Sequence, residues 1–158
     1  MAIKPGFTMG DVRRRLDDFL DAVRDRQIAR IQQLGEICVN HARSVPASQG
    51  FEDQTGNLRS SIGYMVFVDG VAVHGKYERV APKNLQAGGV LNGAEVGRAL
   101  AERVGGDTTG VSLVVTAGMD YAVYVEAKGR DVLTSAEQLA ERLLPEMIRD
   151  LTKNIRNV

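Results

Sequence analysis

Apolar side chains at Val12, Leu16, Phe19, Leu20, Val23, Ile28, Ile31, Leu34, Ile37, Cys38 and Ala42 recur at steps of mostly three and four. That spacing predicts one amphipathic helix over residues 8–43. At about 1.5 Å per residue it is roughly 50 Å long, which is long for a chain of 158 residues. Such a helix either crosses the whole domain or projects to meet a neighbour. Thr8 followed by Asp11 forms a capping-box pattern with Asp in the place of Glu or Gln. Arg13 with Asp17, and Arg14 with Asp18, are spaced for ion pairs on a solvated face. Gly35 is the position where a break is open, since glycine weakens a helix interior.

The rest of the chain divides around this element. Pro46, Gly50 and Gly56 mark residues 44–56 as a loop. Residues 61–68 and 71–77 read as strands joined by Asp69-Gly70, a two-residue hairpin signal. Gly75 weakens the second strand or marks a bulge. Residues 78–110 are crowded with glycine and carry a short helix over 94–104. They read as a long, flexible, glycine-rich excursion of a single domain spanning 1–158. Residues 111–117 form a Val-rich strand, and 120–126 are ambiguous between strand and short helix. Residues 134–156 form a second amphipathic helix, with a Thr134/Glu137 capping box and a kink expected at Pro145. The order predicts an α+β fold, a small antiparallel sheet covered on one face by the N-terminal and C-terminal helices.

Composition narrows the function. Lys plus Arg and Asp plus Glu are both 20, so the formal net charge is zero, unlike a domain whose whole surface binds nucleic acid. Aromatic residues are 5% of the chain and Trp is absent, which leaves few stacking platforms. Cys38 is the single cysteine, so no intrachain disulfide forms and a reducing compartment is the simplest reading. No secretion signal and no membrane-spanning stretch is expected.

Catalytic constellations are sparse. Cys38 and His41 lie three apart on the first helix, too few for a zinc site. They read as a packed thiol and a helix-end imidazole. A Cys–His nucleophile pair is open on residue types alone, but a thiol on an apolar stripe is usually inert. His74 sits in a strand without an obvious partner. Asp17, Asp18, Asp21 and Asp25 interleave with arginines as a solvated face. The run from Gly88 to Gly93 lacks the order of a phosphate loop. Arg13–Arg15, with Lys153 and Arg156, are the basic residues that a nucleic-acid or host-factor binding module would use.

Two segments go beyond generic patterning: Asp53-Gln-Thr-Gly-Asn-Leu-Arg-Ser-Ser-Ile62, and Tyr121-Ala-Val-Tyr-Val-Glu126. On their own chemistry, Thr55 or Asn57 can cap a short turn, Gly56 permits a sharp reversal, and Leu58 and Ile62 reach the core. Arg59 is then exposed beside the sheet. Tyr121 and Tyr124 carry apolar rings with polar tips, suited to a half-buried junction or a subunit contact. Glu126 is a candidate partner for an arginine of a neighbouring copy. Internal packing and capping compete with each of these roles. They are favoured for Leu58, Ile62 and Tyr121 and stand level with the external role for Arg59 and Glu126.

In this order, the two segments resemble the small neck proteins of long-tailed bacteriophages: the head–tail connector, tail-completion and minor tail component family. That family shows a Thr-Gly-x-Leu-Arg-x-Ser-Ile segment leading into a hairpin, and later a Tyr-Ala-x-Tyr-Val-Glu segment. The resemblance implies a non-enzymatic virion protein that forms a ring at the head–tail junction, after assembly in the host cytoplasm. It implies portal and tail-tube proteins as partners, no cofactor, no metal, no membrane and no specific nucleic-acid binding. Arg59, Tyr121, Tyr124 and Glu126 are the candidate subunit-interface residues.

Overall fold

The computed structural model describes residues 6–84 and 92–155, and its longest element is the expected one. Helix α1 spans Met9–Ser44. Its capping box is complete: the Thr8 hydroxyl accepts from the Asp11 amide at 3.2 Å, and the Asp11 carboxylate accepts from the Thr8 amide at 2.9 Å. Arg14 pairs with Asp11, one turn back, instead of with Asp18. The helix does not break at Gly35. That glycine makes room for a ring, because a Cβ there would lie 2.5 Å from Cδ2 of Tyr64. Val45, the residue before Pro46, leaves the helical region at φ −58°, ψ 123°, and ends α1.

A loop and the short helix α2 (Asn57–Ser61) lead into strand β1 (Ile62–Val68), which turns into β2 (Val71–Lys76). Asp69 and Gly70 have φ values of 49° and 78°, the left-handed pair of a tight hairpin turn. The ladder does carry a bulge, but not at Gly75. The register slips between Val66 and Phe67, so the extra residue is Val73. Gly75 pairs with Met65, whose Cγ would be 2.8 Å from an added Cβ.

Strand β3 (Val111–Ala117) pairs antiparallel with the other side of β1, giving the order β2-β1-β3. The fold is α+β, a three-stranded antiparallel sheet packed against the long N-terminal helix and the C-terminal helix α5 (Thr134–Ile155). α5 remains helical through Pro145.

Strand β1 is covered on both faces, whereas β2 stays largely exposed. Residues 62–67 of β1 are all buried, so the strand has no solvent side. Ile62, Tyr64 and Val66 join Leu34, Cys38 and Val39 of α1 in the larger core cluster. Met65 and Phe67 point the other way, against Ala101 of helix α3 (Gly93–Gly105). Between β3 and α5 lies the short helix α4 (Ala122–Ala127), which settles the ambiguous segment as helical.

Helix α3 lies where the short helix over 94–104 is expected, and it is packed against its neighbours. Gly93, Gly97, Ala101 and Gly105 are all buried and recur every fourth position, forming a small-residue stripe on one side of α3. A Cβ at Gly97 would fall 2.3 Å from the Ser61 carbonyl oxygen, and one at Gly105 would fall 2.1 Å from the Phe67 ring. These glycines let the helix backbone approach α2 and strand β1. The Gly88 to Gly93 run lies outside the described residues up to position 91.

The glycine argument gives opposite signs at two helical sites. Gly97→Ala should destabilise the protein by about 1–3 kcal/mol, because backbone must move to admit the methyl. Gly10→Ala, on the open first turn of α1, should stabilise it by up to about 1 kcal/mol. Chemical denaturation of the two variants checks this.

Candidate functional site

The first of the two segments folds as a capped turn. Gly56 has φ 73°, a conformation costly for any residue with a Cβ, and an added Cβ would meet the Val80 carbonyl oxygen at 2.4 Å. The Thr55 hydroxyl accepts from the Asn57 amide at 3.3 Å, and buried Asp53 accepts from the Arg59 amide at 2.7 Å. Leu58 and Ile62 are in the core, as expected.

Arg59 is not exposed beside the sheet. Its guanidinium lies over the Phe51 ring, 4.9 Å from the centroid. It donates to the carbonyl oxygens of Arg43, Val45 (3.4 Å) and Phe51 (3.3 Å). These include carbonyls at the end of α1 that have no helical partner, so Arg59 acts as a C-terminal cap tying α1 to the following loop. A second arginine, unremarked in the sequence, supports it. Arg43 donates to the carbonyl oxygens of Ile62 (2.6 Å) and Glu78 (3.1 Å) and to the Glu78 carboxylate (3.3 Å). Burial pulls the Arg43 pKa down, and the Glu78 charge opposes that shift. Its place in the last turn of α1 is the one sequence signal for a carbonyl-binding role.

The second segment is α4 and its flanks. Tyr121 precedes the helix, with its phenol beside the Thr55 hydroxyl and Asp53; burial and the Asp53 charge raise its pKa. The two motif segments, far apart in sequence, therefore meet in space. Glu126 is also committed internally. Its carboxylate accepts from the amides of Leu133 (3.2 Å) and Thr134 (2.8 Å) and from the Thr134 hydroxyl. Asp131 accepts from the Ser135 amide at 3.0 Å. The start of α5 is thus held by Glu126 and Asp131, not by the Thr134/Glu137 box. A carboxylate at this end also suits the helix dipole. Tyr124 is 74% exposed and Val123 beside it is 76% exposed, while Tyr121 keeps 41% of its surface exposed.

The remaining titratable groups hold elements together. The Cys38 thiol is buried against the Ala136 carbonyl at 3.7 Å, and burial raises its pKa. His41 Nε2 meets the Ser135 hydroxyl at 2.9 Å, so these two side chains address different atoms of the first turn of α5. His74 does have a partner. Its Nε2 lies 3.1 Å from the hydroxyl of fully buried Tyr64, which in turn donates to Glu36 at 3.3 Å. Among the described residues, no three of His, Cys, Asp and Glu converge as a metal-binding group, and no helix is long and apolar enough to cross a membrane.

What stays open is apolar surface. A shallow groove of about 530 Å³ runs between α3 and α4, lined by Val96, Leu100, Arg103, Met119 and Val123. A cleft of about 520 Å³ lies between α1, β3 and α5, walled mainly by aliphatic side chains. The N-terminal half of α1 extends past the end of α5, whose Asn154 carbonyl is reached by Arg26. Lys153 is near that point, whereas Arg13–Arg15 lie on the order of 16–20 Å further along α1. They do not form one basic patch, and Arg156 lies outside the described residues. No family model, curated protein or solved structure matches the chain.

Two outcomes test these assignments. Glu126→Ala should cost about 1 kcal/mol of stability, the usual loss for a helix cap, measured by urea unfolding. In an absorbance titration one of the four tyrosines should ionise last, at about 12, and disappear in Tyr64→Phe. Burial, then the Glu36 charge, holds that phenol neutral. Its contribution to stability is complete below the unfolded value near 10 and is lost as pH rises through about 12.

Proposed function

We propose that this chain is a structural subunit of a bacteriophage or prophage neck, assembling as a ring at the head–tail junction between portal and tail-tube proteins. The observation that carries the reading is the meeting of its two motif segments. The Asp53–Thr55 turn and Tyr121 form one unit that fixes the base of α4. That unit presents Val123 and Tyr124 to solvent beside the groove between α3 and α4.

The chemistry of the site suits assembly. Arg59 and Glu126 spend their charge on helix ends, so they position the rim instead of reaching for a neighbour. Exposed aromatic and aliphatic side chains around an apolar depression are the features of a protein–protein contact core. Two different patches meeting head to tail close a ring when the rotation per subunit divides the circle.

Removal of the coding sequence from a phage that carries it should leave filled heads and finished tails unjoined in electron micrographs. Joined, infectious particles in its absence would overturn the reading. Complementation with Tyr124→Asp should reduce joined particles at least tenfold while the purified variant keeps the unfolding midpoint of the parent protein.

A further inference from the structure

We infer that the outer edge of β3 takes up an extended segment of another protein as a fourth strand, whether or not the chain belongs to a phage neck. The ladder with β1 fixes which groups are free. Gly118 donates to the Ser61 carbonyl at 3.3 Å, and Asp69 donates to the Gly110 carbonyl at 2.9 Å. Hydrogen-bonded pairs step by two, so between these ends they are Gly63 with Thr116, Met65 with Val114 and Phe67 with Ser112. The amides and carbonyls of Val111, Leu113 and Val115 therefore point away from β1. Among the described residues those groups have no partner.

That edge opens on the cleft between α1, β3 and α5. Helix α5 packs on α1 and stands off from β3. The cleft continues past Val111 along α5, lined by Leu144, Met147 and Leu151. A strand laid beside β3 would satisfy its free main-chain groups and put alternate side chains against the apolar side of α5. Sheet edges are ordinarily guarded by charge, proline or a bulge. Strand β2, the other edge, has a bulge at Val73 and carries Lys76. Strand β3 pairs without a bulge and holds no charge and no proline.

The walls also fix the chemistry of the occupant. Glu137 lines the half of the cleft beside Leu113 and Val115, and Arg30 lines the end beside Gly110 and Val111. A segment antiparallel to β3 complements them with a basic residue at its start, an acidic residue at its end and aliphatic side chains at every second position between. A second copy does not supply this segment. Its β2 edge is broken by the bulge, and its β3 carries α1 on the same face, into the space that α5 fills.

The probe is a capped synthetic peptide of seven residues, the length of β3, alternating valine and threonine between a leading lysine and a closing glutamate. In the free protein the amides of Leu113 and Val115 should exchange at least tenfold faster than that of Val114, read by NMR. Saturating peptide should slow both at least tenfold. Glu137→Lys combined with Arg30→Glu should weaken that peptide at least tenfold, keep the unfolding midpoint, and bind instead a peptide with glutamate first and lysine last. Leu113 and Val115 amides as protected as Val114 in the free protein, no slowing at about 1 mM peptide, or binding indifferent to the charge reversal would overturn the proposal.

Discussion

The structure depends on β1 being buried on both faces. One face of the strand sends Tyr64 across Gly35 of α1, and the other sends Phe67 across Gly105 of α3. At each crossing a glycine is replaced in space by an aromatic ring. Close packing of this kind stabilises through many small dispersion contacts that a single added methyl disrupts. The interior polar atoms along the strand are satisfied: Tyr64 by Glu36 and His74, and Tyr77 by Thr116 at 2.6 Å. With three strands and two covering layers, the sheet gains the burial that a bare hairpin lacks.

From that centre the charged residues work outward as connectors. Arg43 and Arg59 hold the end of α1, while Glu126 and Asp131 hold the start of α5. The four therefore fix where two long helices stop and begin. Backbone ends left without partners inside a protein are costly, and charged side chains satisfy several at once. The surfaces left over, the α4 rim and the outer half of α1, carry exposed apolar side chains such as Tyr124 and Leu16. The subunit contacts that we propose use the α4 rim because the connectors are already occupied.

Much of this was legible in the sequence. The 3.6-residue stripe located α1, Thr8 and Asp11 located its start, and Asp69-Gly70 located the hairpin. Local rules suffice there, since the deciding contacts lie within a few residues. Helix α3 was legible over 94–104, but its close packing was not, because glycine reports two different things. It marks freedom in a loop and close approach in a packed helix, and only the four-residue spacing of Gly93, Gly97, Ala101 and Gly105 separates the two. Arg59 and Glu126 were legible as important positions but not as caps. Their partners, the carbonyls of Arg43 and Val45 and the amides of Leu133 and Thr134, are brought near by turns that no residue pattern encodes.

Amide hydrogen exchange, resolved by residue, tests the two-sided burial of β1 most directly. If α3 is a structural layer, its central amides, around Ala101, exchange only with global opening and match the protection of Val66 and Phe67 in β1. If the α3 amides exchange as fast as those of the exposed first turns of α1 while β1 stays protected, the sheet is covered on one face alone and the account fails.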